Sequence, residues 1–175
     1  MNKSSHTLLA VTFAGAGLLC GDPVRAQDVQ MEWAKTYGGL EVDTAFSVQQ
    51  TSDGGYVVAG TIGGPDRAWV LKLNAAGSVE WEKRHVGGIL YAIQQTGDGG
   101  FIAAGSSPTN LGDGWLIRLD ALGNVVWQRT YSDGSGLPDP FFSVAQTADG
   151  GYVATGGVED LLIVRFTATG DVVWQ

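Results

Sequence analysis

Residues 46–60, Phe46-Ser47-Val48-Gln49-Gln50-Thr51-Ser52-Asp53-Gly54-Gly55-Tyr56-Val57-Val58-Ala59-Gly60, decide the fold. Asp-Gly-Gly sits between two runs rich in β-branched and aromatic residues. Such a dipeptide supplies the positive-φ residues of a tight hairpin turn. The same block returns at 91–105 and 142–156, with seven residues from Asp to the final Gly each time. A second block, Trp69-Val70-Leu71-Lys72-Leu73-Asn74-Ala75-Ala76-Gly77-Ser78-Val79-Glu80-Trp81, returns at 115–127 and 162–174. Its basic residue precedes its last Trp (Leu162 replaces the first one in the third copy) by nine positions, and its Gly precedes that Trp by four. Two hairpins make four strands, here called A (about 45–51), B (55–60), C (68–73) and D (79–85) in the first unit.

Trp33, Trp81, Trp127 and Trp174 mark the period, with spacings of 48, 46 and 47 residues. A period of that size signals an array of supersecondary units. Four strands per unit is the content of a propeller blade. The fold expected is therefore all-β: a β-propeller of four-stranded antiparallel blades, with repeats at about 45–85, 90–131 and 141–175. Strand B is almost wholly apolar, as suits a strand covered on both faces. Gly60, Gly105 and Gly156 end it, where a side chain would hinder close packing. The strand D indole is the expected knob between blades. Burying one removes on the order of 200 Å² from water, an upper bound of roughly 5 kcal/mol.

The units run out of phase with the sequence. Residues 31–37 (MEWAKTY) match strand D without a preceding A, B or C, and the third unit stops just after its Trp. Closed propellers have about four or more blades. The pattern thus predicts about three blades of a larger propeller, with open edges available for self-association.

The N-terminus carries its own signal. Lys3 gives a short positive region, residues 8–19 are an uncharged apolar run, and Val24-Arg25-Ala26 suits a cleavage site before Gln27. This predicts a signal peptide over 1–26 and a secreted or periplasmic protein. The rival is a lipoprotein anchored at Cys20. The mature chain, 27–175, then carries the partial β-propeller and no transmembrane segment.

Composition excludes several chemistries. A single Cys leaves no disulfide framework or Cys-based zinc site, and the two His form no cluster. A net charge of −8 argues against nucleic acid. Loops B–C and D–A vary in length between units while the A–B and C–D turns do not, and variable loops on a rigid scaffold are where binding residues collect. Those loops are acidic, and Asp43, Asp66, Asp113, Asp133, Asp139, Glu159 and Asp160 are the candidate ligand-binding residues. They would attract cations or a basic partner, or else serve solubility and loop capping. Lys72, Arg118 and Arg165 form a basic column in strand C, open to an anion-binding or a scaffold reading. His85 lacks a chemical partner by spacing and is expected at the surface.

The unit AWVLKLNAAGSVEWEKRH, followed by GWLIRLDALGNVVWQRTY, resembles repeats of the quinoprotein-like (PQQ-like) propeller superfamily. It is most similar to secreted bacterial repeats of pattern DGGYxxAG…WLxKLDxxGxxxW, over about residues 31–175. Quinoprotein blades space Asp, Gly and Trp by two steps of four. Here Asp120 lies three residues before Gly123, and Asn74 and Thr167 stand at the Asp position. No catalytic, metal or cofactor-binding residue is assigned, and no cofactor is expected. The repeat, the export signal and the variable acidic loops point to an exported, non-enzymatic binding or scaffold module at the cell envelope or outside the cell. Its partner would be an unknown protein or glycan at the variable-loop face. The alternative is part of a propeller enzyme, a quinoprotein-like dehydrogenase or a hydrolase, with catalytic residues partly outside this chain.

Overall fold

A computed structural model describes residues 32–64, 67–107, 112–134 and 136–175. The expected signal peptide over 1–26, the rival anchor Cys20 and the candidate Asp66 lie outside the described residues. Residues 33–175 form one compact unit.

Among the described residues twelve strands alternate with turns and loops. Sheet 1 contains β1 (Thr44–Gln50), β2 (Tyr56–Thr61), β3 (Arg67–Leu73) and β4 (Val79–Val86). Sheet 2 contains β5 (Ile89–Gln95), β6 (Phe101–Ser106), β7 (Gly114–Leu119) and β8 (Val125–Tyr131). Sheet 3 contains β9 (Phe141–Gln146), β10 (Tyr152–Gly156), β11 (Leu162–Phe166) and β12 (Val172–Trp174). Each is a four-stranded antiparallel sheet in sequence order, and none is closed on itself. The protein is therefore all-β, with each sheet built from the two hairpins that the repeated blocks encode.

The turns follow from their residues. In each Thr-x-Asp-Gly-Gly segment, the first Gly has positive φ and its amide donates to the Thr carbonyl, as Gly54 does to Thr51 at 2.9 Å. The glycines ending the second strand answer a different constraint. A Cβ on Gly60, Gly105 or Gly156 would lie 1.8–1.9 Å from the carbonyl oxygen of Thr44, Ile89 or Pro140. The ladder register shifts at this point in all three sheets, pressing one backbone onto the other.

Sheets pack face to face. Val57, Ala59 and Val70 of sheet 1 share a core with Leu90, Phe101 and Ile117 of sheet 2. Ile102, Ala104 and Leu116, on the other face of sheet 2, share one with Phe141, Tyr152 and Val164 of sheet 3. The first strands β1, β5 and β9 neighbour one another along the array.

One expected element differs. Residues 32–37 form no strand, because among the described residues no β3-like edge stands beside them to complete a ladder. They pack instead. Trp33 meets the Tyr56 ring edge-on at 5.8 Å, and the Tyr37 hydroxyl donates to the Gly77 carbonyl at 2.7 Å.

Gly105→Ala should cost about 3 kcal/mol or more in denaturant unfolding, since the new methyl meets backbone rather than a movable side chain. Gly39→Ala, where a Cβ meets nothing within 4 Å, should stay within about 0.5 kcal/mol of wild type.

Candidate functional site

How the repeated polar residues are used decides what remains for a ligand. Lys72, Arg118 and Arg165 are not an anion-binding ring. Lys72 Nζ lies 2.8 Å from Asp53, Arg118 Nη2 2.5 Å from Asp98 and Arg165 Nη2 2.6 Å from Asp149. Each Asp comes from the first hairpin turn of the same sheet. Each base also donates to the carbonyl of the residue that follows it, Leu73, Leu119 or Phe166. Arg118, only 6% exposed, reaches Phe101 O at 3.2 Å as well. The two hairpins of a sheet are thus clamped through a cationic group, buried for Lys72 and Arg118 and half-buried for Arg165.

The Asp partners are tuned by these bonds. Hydrogen bonds from Lys72 and then Thr51 hold the Asp53 carboxyl well below its ordinary value. Asp98 and Asp149 are lowered as well, chiefly by the hydroxyls of Thr96 and Thr147.

A second repeated device joins neighbouring sheets. Gln49 Oε1 accepts the Gln95 amide N–H at 2.6 Å, and Gln94 Oε1 accepts that of Gln146 at 2.7 Å. In return, Gln95 Oε1 accepts the Ser52 N–H at 2.8 Å, and Gln146 Oε1 the Gly97 N–H at 2.9 Å. Each first strand presents an unpaired backbone edge, and the neighbour's glutamines satisfy part of it. Beside this lock runs an aromatic row, Phe46, Tyr91 and Phe142, with successive centroids 5.3 Å apart. These rings open the repeated block, so their common position was visible; their mutual contact across sheets was not.

The acidic loop residues separate into two groups. Asp43 accepts the Gly39 and Gly63 amides at 2.7 and 2.8 Å, and the Gly63 and Gly39 bonds, in that order, lower its pKa. It staples its own loops. Asp113 is buried, and Asp139 is buried and accepts the Asp133 N–H at 3.0 Å. Glu159 and Asp160 are exposed. The loops after β8 and β10 bring Asp133, Asp139, Glu159 and Asp160 to one cleft of about 330 Å³, with Leu137 and Leu161 on its wall. Among the described residues no group of three acidic, His or Cys side chains has a metal-holding arrangement.

A smaller cavity of about 280 Å³ is lined by Glu41, Asp43, Arg67, Arg84 and His85. His85 is not a surface residue. It is half-buried with its ring edge-on to Trp115 at 6.3 Å, and its Nε2 is enclosed without a hydrogen-bond partner among the described residues. Burial, then the Lys83 charge, lowers its pKa and favours the neutral ring.

No protein-family model matches the chain, and no curated protein matches it. Among solved structures it is similar to a protein of unknown function from Bacteroides caccae, at 13% identity and a TM-score of 0.31. That match covers 76% of this chain and 66% of the other, so this chain spans about two thirds of its neighbour's length. Among the described residues, no helix is long and apolar enough to cross a membrane.

Because the clamp carboxylates have lowered folded-state pKa values, their contribution is complete above the unfolded value near ~4. It is lost as pH falls from there through the folded values. Urea midpoints measured from pH 5 to pH 2 should therefore drop on acidification. Replacing Asp53, Asp98 and Asp149 by Asn should flatten that slope; an unchanged slope contradicts the clamp's role.

Proposed function

We propose that this chain is an exported, non-enzymatic binding or scaffold module, its three sheets being consecutive blades of a β-propeller of the quinoprotein-like type. Residues 1–26 act as the export signal in this reading. The neighbouring first strands β1, β5 and β9 and the face-to-face sheets support the propeller reading. The binding reading is carried by how polar groups are used. The repeated Asp, Lys or Arg and several of the Gln side chains hydrogen-bond within the array, whereas four non-repeating acids gather at one cleft.

The cleft pairs negative charge with apolar wall. Leu137 and Leu161 are both exposed large hydrophobics. A partner that fits presents a basic group beside an apolar one, as on a protein surface with Lys or Arg flanking an aliphatic side chain. Approach of such a partner is accelerated by the field of the loops and weakened by salt. Asp139 supports the cleft from beneath through its bond to the Asp133 amide, so Glu159 and Asp160 are the positions free to meet a ligand.

Calorimetry with a short Lys- and Leu-containing peptide tests this. Glu159→Gln with Asp160→Asn should weaken binding about fivefold or more at low salt, with melting unchanged. Equal affinity in wild type and variant would overturn the assignment.

A further inference from the structure

We infer that this chain joins a second copy of itself head to tail, the outer face of sheet 3 in one copy seating on the outer face of sheet 1 in the other. The inference stands on sheet packing and does not depend on the acidic cleft.

The chain already makes this interface twice. One kind of face comes from alternate residues of the second and third strands, such as Val57, Ala59 and Val70 in sheet 1 and Ile102, Ala104 and Leu116 in sheet 2. By repeat register its third example is Val153, Thr155 and Ile163, with Leu161 at the strand's edge. No sheet among the described residues covers it: Leu161 is 80% and Ile163 39% exposed.

The other kind of face receives it. Sheet 2 offers Ile93, Phe101, Ile117 and Leu119, all covered by sheet 1. Their counterparts in sheet 1 are Val48, Tyr56, Leu71 and Leu73. These line an open hollow of about 540 Å³, and Val48 is 66% exposed. Trp33 holds on sheet 1 the place that Trp81 holds on sheet 2, against Tyr56 as Trp81 is against Phe101. What the hollow lacks is three strands of the kind β9, β10 and β11 supply. The short β12, paired at Arg165 and Phe166, yields its place to the segment carrying Trp33.

The glutamine lock fixes the register. Gln95 and Gln146 each accept a turn N–H from the preceding sheet, Ser52 and Gly97. Gln50 occupies the same position in sheet 1, and the equivalent turn residue of sheet 3 is Ala148. Gln50 therefore accepts the Ala148 N–H of the second copy. The reciprocal bond is missing, because Ala145 stands where Gln49 and Gln94 supply their oxygens. Half the lock is present, so the joint between copies is weaker than the joints within one. A heterologous joint of this kind closes into a ring where the rotation returns to its start and otherwise extends as a filament.

Sedimentation velocity on the full chain from about 1 to 100 μM tests the proposal. Wild type should associate with rising concentration. Val48→Asp and Ile163→Asp, both at exposed positions, should each be monomeric. Mixed one to one, they should give a dimer and nothing larger, since only one intact pair of faces remains. Ala145→Gln restores the missing acceptor and should shift association to about fivefold lower concentration. A wild-type monomer throughout, association that survives both Asp variants, or an Ala145→Gln chain no stickier than wild type would each overturn it.

Discussion

Trp33, Trp81 and Trp127 each lie against an aromatic ring of the sheet that follows: Tyr56, Phe101 and Tyr152, at 5.8, 5.7 and 5.8 Å. Each indole also covers a turn glycine of that sheet. A Cβ on Gly77, Gly123 or Gly170 would come 3.1, 2.7 or 2.9 Å from the ring. The constant offset of four between that Gly and the next Trp links two joints: the Gly receives one indole and its own Trp is passed forward. A single sheet of this kind has apolar residues on both faces and cannot hide them alone. The indole contact is what turns a repeated hairpin pair into an array.

Polar groups complete the joints at two levels. Within a sheet, a strand base and a turn carboxylate hold the two hairpins together. Between sheets, glutamine oxygens meet backbone amides of the first strands. Both devices consume side chains that in isolation resemble functional residues. The non-repeating acids lie in the loops, whose lengths differ from sheet to sheet. The acidic cleft after β8 and β10 is a product of that division.

Strand positions were legible because hairpin turns announce themselves: Asp-Gly-Gly and the Asn-, Asp- or Thr-x-x-Gly turns bracket every ladder. The spacing of Trp residues carried the repeat. Residues 31–37 matched strand D in sequence, yet strand pairing needs a neighbouring edge, which a local match does not contain. The split among the acidic loop residues was hidden for the same reason. Asp43 and Asp139 accept backbone amides from loops that do not repeat, and no periodicity marks such bonds. The partners of the Gln49 and Gln94 side chains lie one sheet away, where no local pattern points.

The central claim is that indoles stabilise the array by seating on the next sheet, and two equivalent tryptophans separate it from any local effect. Trp127 is seated on Tyr152, whereas Trp174 is 52% exposed and meets no following sheet among the described residues. Urea unfolding of Trp127→Ala and Trp174→Ala, at concentrations low enough to keep the chain monomeric, measures the difference. The account predicts a loss of about 3 kcal/mol for Trp127 and under about 1 kcal/mol for Trp174. Equal losses at the two positions would contradict it.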